Sequence, residues 1–104
     1  GADIAGIGTS TLTVRGVAAL SGTDYRVISD RIETGTYLCA AAMTGGELEL
    51  IDARRDTLES VIAALEVIGV AVEDTPAGLK AYRRGASLSA IDLVTEPYPL
   101  FPTD

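Results

Sequence analysis

The sequence predicts an α+β fold, a β-α-β-α-β-β unit with two helices on one face of a four-stranded sheet. Three observations predict it. Two apolar segments each carry a capping signal at the front and glycine at the back. Between and after them lie short alternating or β-branched runs. A proline-glycine turn, Thr75-Pro76-Ala77-Gly78, separates the Val70–Glu73 run from the Leu79–Arg83 run and marks a hairpin.

The 104 residues suit one domain of ordinary size. Residues 1–23 are small and turn-rich, and they read as the tail of a preceding domain plus a connection. Within them Thr11-Leu12-Thr13-Val14-Arg15 alternates as a short strand, with no evident partner. Residues 24–104 read as the unit itself. Its first strand is Tyr25-Arg26-Val27-Ile28. A helix is expected from Arg31 to about Met43. Asp30 is its N-cap, with Glu33 completing a capping box, and Gly45-Gly46 form its stop. Its body, Tyr37-Leu38-Cys39-Ala40-Ala41-Ala42-Met43, has no polar face, which predicts burial on more than one side.

Glu47-Leu48-Glu49-Leu50 alternates and is expected to cover a core on one face while its other face meets water. A second helix is expected from about Thr57 to Ile68, capped by Asp56, boxed by Glu59 and stopped by Gly69. Leu58, Val61, Ile62 and Leu65 form its main stripe. Ala63, Ala64, Val67 and Ile68 widen it until little polar surface remains. Val70-Ala71-Val72-Glu73 and Leu79-Lys80-Ala81-Tyr82-Arg83 are the hairpin strands, and Ala90-Ile91-Asp92-Leu93-Val94 reads as a last strand. Prolines then stiffen the exit. Helices so apolar predict that further units cover them, and that the isolated chain self-associates through these faces.

Composition narrows the function. Fifteen acidic against eight basic residues give a net charge of −7, which disfavours nucleic acid as a partner. The chain has no histidine and a single cysteine, Cys39. That leaves no disulfide framework, no usual zinc pattern and no Ser-His-Asp or Cys-His pair. Cys39, among alanines in mid-helix, is expected to be a small buried hydrophobe. No metal or other cofactor is expected. No apolar run reaches the ~20 residues of a membrane span, and no secretory leader is visible, so the expected setting is cytoplasmic. Gly6-Ile7-Gly8 lacks the remaining spacing of a dinucleotide fingerprint, and no phosphate-cradling glycine loop is present. Arg54-Arg55 and Arg83-Arg84 read as exposed charges, Arg31 as solvated or hinge-side.

Several motifs agree in order and spacing with one family. They are Gly8-Thr9-Ser10-Thr11-Leu12, Asp30-Arg31-Ile32-Glu33-Thr34-Gly35-Thr36, Met43-Thr44-Gly45-Gly46 and the closing Phe101-Pro102-Thr103-Asp104. Together they resemble the enolpyruvyl transferases that act on UDP-N-acetylglucosamine, the UDP-N-acetylglucosamine 1-carboxyvinyltransferases, and the resemblance covers nearly the whole chain. Ser29, Arg55 and Leu100 depart from the family pattern, which has proline at the first two positions and glycine or alanine at the third.

The resemblance implies two domains, each built from three such units as an inside-out α/β barrel, helices inward and sheets facing solvent. It implies transfer of the enolpyruvyl group of phosphoenolpyruvate to the 3-hydroxyl of UDP-N-acetylglucosamine with release of phosphate, the first committed step of peptidoglycan synthesis. The family's Lys-Asn pair, its cysteine-bearing loop and its phosphate-gripping residues have no match here, so the chain is expected to be an inactive part of the enzyme. Asp104 alone matches a site residue, the aspartate that contacts the sugar, as candidate general base or as anchor. On bare sequence Asp104 reads as the N-cap of a following helix, and the two roles are compatible. Tyr98 reads either as lining a sugar site or as packing against the arm. Two other functions remain open at this point: a non-catalytic binding or assembly module using the apolar helix faces, and a segment of a related enolpyruvyl transferase with another acceptor.

Overall fold

The computed structural model describes residues 1–101. The elements follow from local chemistry. Strands β1 (Asp3–Ala5) and β2 (Thr13–Arg15) pair antiparallel, Ile4 opposite Val14. The partner of the Thr11–Arg15 run is therefore the three-residue Asp3-Ile4-Ala5, too short for its pattern to stand out. All six strand residues are exposed, and none belongs to the core cluster.

Helix α1 spans Arg31–Thr44. The Asp30 carboxylate accepts from the backbone N–H of Ile32 at 2.7 Å and of Glu33 at 3.4 Å, which satisfies donors that the first turn leaves orphaned. Gly45 ends the helix in the left-handed region, φ 70°, and its N–H donates to the carbonyl of Ala41. Strand β3 (Glu47–Ile51) follows at once, with Leu48 and Leu50 half-buried and Glu47, Glu49 and Ile51 exposed.

A 3₁₀ turn, Arg55–Thr57, precedes helix α2 (Glu59–Ile68). The expected cap is corrected here. Asp56 lies inside the 3₁₀ turn and pairs with Arg54, while Leu58 occupies the N-cap position without a side-chain bond. The short turn shifts the start of α2 by two residues, which carries Asp56 out of capping register. Gly69 stops α2, φ 109°. Strands β4 (Val70–Asp74) and β5 (Gly78–Arg83) form the hairpin around Thr75, whose hydroxyl accepts from the N–H of Ala77 and of Gly78.

The sheet order is β3-β5-β4, all antiparallel, with Leu48 opposite Ala81 and Val72 opposite Ala81 on the other side. The expected four-stranded sheet is thus three-stranded. Neither Tyr25–Ile28 nor Ala90–Val94 joins a ladder. Residues 26–29 are instead tied to the end of β3 by side chains. Arg26 pairs with the Asp52 carboxylate, and the Ser29 hydroxyl donates to the Asp52 carbonyl at 2.9 Å. After β5 the chain bonds to the end of α2, Arg84 N–H to Gly69 O and Ser89 N–H to Ile68 O, both 2.9 Å.

Leu38, Ala41 and Ala42 of α1 pack with Leu58, Ile62 and Leu65, and with Val70, Val72, Leu79 and Ala81 of the sheet. These sheet residues share one face by the strand period of two, so both helices cover the same side. The other side carries Glu47, Glu49, Glu73, Lys80 and Tyr82, joined by a Lys80–Glu47 ion pair (3.1 Å) and a bond from the Tyr82 hydroxyl to Glu73 (2.6 Å).

The two aspartates that resemble caps should behave differently. Asp30→Ala is expected to lower stability by about 1 kcal/mol. Asp56→Ala should leave the thermal or urea midpoint close to wild type, because its partner is an exposed arginine and not a helix end. Equal losses in the two variants would contradict this placement of the helix starts.

Candidate functional site

Only one stripe of α1 is buried: Thr34, Leu38, Ala41 and Ala42. The remaining apolar residues of this helix face out, Ile32, Tyr37 and above all Met43, which is 79% exposed. Cys39 is exposed too, which corrects the expectation of a buried thiol. The correction has a simple cause. A helix packed on one sheet buries one stripe, and Cys39 follows Leu38 by one residue, about 100° around the axis. On α2, Val67 likewise faces out.

Between the helices runs an open groove of about 470 Å³, whose walls include Ile32, Gly35, Cys39, Ala40, Met43, Leu58 and Val61. Arg31 and Phe101 stand along it as well. Gly35 and Ala40 keep the floor low. Among the described residues Arg31 is the one charged group lining it, so the groove is suited to apolar packing and not to gripping phosphates.

The basic side chains are mostly occupied elsewhere. Arg15 pairs with Asp3, Arg26 with Asp52, Arg54 with Asp56 and Lys80 with Glu47. Arg55 is no free surface charge, contrary to the sequence expectation. It is half-buried and donates to Asp74 at 2.9 Å, to Glu66 at 3.4 Å and to the Val72 carbonyl at 2.5 Å. Burial alone would lower its pKa, but the bonds and charges of Asp74 and Glu66 outweigh that and hold it above the ordinary arginine value. Arg55 therefore ties the 3₁₀ turn, α2 and the edge strand β4 together, a role that proline could not perform. Arg83 lies across the end of α1, its guanidinium in the space a Cβ on Gly45 would need. Arg26 and Arg54 line one shallow hollow beside Asp52, and each is already paired with an aspartate. Among the described residues no group of acidic, cysteine or histidine side chains could hold a metal ion.

The closing arm is anchored. Arg31 lies over the Tyr98 ring, 4.6 Å from its centre. The Ser60 hydroxyl of α2 donates to the Pro99 carbonyl at 3.4 Å. Leu100 is 52% exposed, so its extra bulk points to solvent and not into the arm's seat. Asp104, the residue the resemblance places at the sugar, lies outside the described residues. Sequence reasoning missed Ser60 as an anchor, and nothing in its surroundings could have marked it.

The family model described as EPSP synthase (3-phosphoshikimate 1-carboxyvinyltransferase) matches residues 1–104. The chain belongs to this family. Similar curated proteins are named UDP-N-acetylglucosamine 1-carboxyvinyltransferase: those of Gluconacetobacter diazotrophicus at 55% identity, Paramagnetospirillum magneticum at 53% and Agrobacterium fabrum at 49%. Each comparison covers all 104 residues of this chain and 24% of the relative. The chain thus spans about a quarter of the length of the curated relatives it matches. No helix among the described residues is long and apolar enough to cross a membrane.

Replacing Arg55 by methionine keeps bulk and removes the donors. The expected loss is about 1–2 kcal/mol in urea unfolding, since three acceptors lose a shared partner. An unchanged midpoint would show that Arg55 holds nothing together.

Proposed function

We propose that the chain is a segment of an enzyme that transfers the enolpyruvyl group of phosphoenolpyruvate to the 3-hydroxyl of UDP-N-acetylglucosamine, releasing phosphate. The single observation that carries this reading is the 49–55% identity, along the whole chain, to relatives bearing that enzyme's name. In such a reaction the sugar oxygen bonds to C2 of phosphoenolpyruvate while C3 takes a proton. Phosphate then leaves and the new methyl group gives a proton back, which restores the double bond. The product would feed peptidoglycan synthesis.

Within that enzyme, residues 24–104 form one unit of an inside-out barrel, and residues 1–23 are the end of the preceding domain with its connection. The one-sided sheet supports this. Its charged face suits water, while the exposed apolar groove between the helices suits a covering neighbour. Most basic side chains among the described residues are paired with carboxylates, so the phosphates would be held by other parts. Asp104 would be its contribution to chemistry. A sugar hydroxyl is a weak nucleophile until its proton has an acceptor, and a positioned carboxylate supplies one. The same hydrogen bond would select which hydroxyl faces C2. No cofactor enters this scheme, and the isolated chain would associate with itself through the uncovered helix faces.

Phosphate release measured with both substrates gives a direct test. The 104-residue chain alone should show none, and should scatter light as more than a monomer at micromolar concentration. A full-length chain containing it should turn over, and Asp104→Asn should lower that rate about 10²–10⁴-fold. Turnover by the short chain, or an undiminished Asp104→Asn enzyme, would overturn the reading.

A further inference from the structure

Among the described residues, every hydrogen bond and ion pair that joins residues 1–29 to the layer built from residues 30–101 ends on one residue, Asp52. Residues 16–30 hold no helix or strand, so they form the connection between the β1–β2 ribbon and α1. Asp52 comes directly after β3. Its backbone is left-handed, φ 60°, a conformation aspartate tolerates better than most residues. Its N–H donates to the Ala77 carbonyl at 2.7 Å. Gly78 approaches so closely that a Cβ there would stand 3.0 Å from the Asp52 nitrogen. The hairpin turn therefore holds the backbone of Asp52 from the side of the sheet.

The other polar atoms of Asp52 meet the connection. Its carboxylate accepts from Arg26, and its carbonyl accepts from the Ser29 hydroxyl at 2.9 Å. Val27 and Ile28 lie between these two arms and line the hollow of about 220 Å³ beside Asp52. The serine arm is particular to this chain, since the proline of the family pattern has no hydroxyl to donate. Both arms are exposed. An exposed ion pair and one exposed hydroxyl bond are weak enough to open and reclose while the core stays intact. We infer that Arg26, Ser29 and Asp52 form a reversible latch. Closed, it fixes residues 26–29 to the layer and leaves residues 16–25 as the joint about which the ribbon turns. Open, it extends that joint to Ser29, and the ribbon gains freedom relative to α1. The inference goes beyond the proposed reaction and stands without it.

Two variants remove one arm each. Asp52→Gly takes away the carboxylate, suits the positive φ and keeps both backbone bonds. Ser29→Ala removes the hydroxyl. In the 104-residue chain, diluted until light scattering reports a monomer, chymotrypsin cleavage after Tyr25 reads the open population. Neither substitution touches Tyr25 or the three residues on either side of it. Each should speed that cleavage about two- to fivefold, and the double variant should multiply the two gains. Cleavage after Tyr37, inside α1, should keep its wild-type rate. Spin labels on Cys39 and on Ser10→Cys then report the ribbon directly. Their distance distribution should be broader in the double variant than in the otherwise wild-type chain. Unchanged cleavage after Tyr25, an equal rise after Tyr37, or an unchanged distance distribution would each overturn the latch.

Discussion

The central strand β5 sets the arrangement of the whole unit. Leu79 and Ala81 have no solvent exposure; α1 packs over β5 and α2 over its neighbour β4, on the same side of the sheet. The strand period of two then sends Lys80 and Tyr82 to the opposite side, where they meet Glu47 and Glu73. A sheet with one wet face has room for one helical layer. Each helix satisfies that layer with a single stripe, and the rest of its apolar surface has to point away. The exposed Ile32, Cys39, Met43 and Val67 are the direct consequence. Ile32, Cys39 and Met43 line one groove of about 470 Å³, so they are more than scattered surface hydrophobes.

That geometry makes the covering-unit reading of the enzyme physically coherent. The two helix stops, Gly45 and Gly69, turn the chain sharply back so that strands follow helices at once. Arg55 fastens the 3₁₀ turn and α2 to the edge strand at the side of the layer. These devices hold the helices firmly against the sheet and leave their far sides free. A neighbouring unit can then dock without rearranging the core.

Much of this was legible in the sequence, for identifiable reasons. Asp30, Gly45 and Gly69 act through backbone groups two to four residues away, so local spacing reveals them. The alternation of Glu47–Leu50 and the Pro76-Gly78 turn are equally local. What failed depends on partners. A strand exists only when another edge accepts it, and Tyr25–Ile28 and Ala90–Val94 have the right composition but join no ladder. The apolar body of α1 implied burial on several sides, yet one chain supplies cover for one stripe. Arg55 looked like a surface charge because Glu66, Val72 and Asp74 are 11 to 19 positions away. As for the site, the motif around Asp104 was readable only through a family resemblance. The contacts of Arg31 and Ser60 with the arm depend on long-range folding that no local pattern encodes.

Cys39 reports on the central claim most directly, because it sits on the exposed wall of the groove. The measurement is its rate of reaction with a small thiol reagent, in this chain and in a full-length chain containing it. The short chain is diluted until light scattering reports a monomer. The account predicts rapid labelling in the short chain and strong protection in the folded full-length protein, with labelling restored on unfolding. Equal rates in the two folded proteins would mean that nothing covers the helix faces, and would contradict the account.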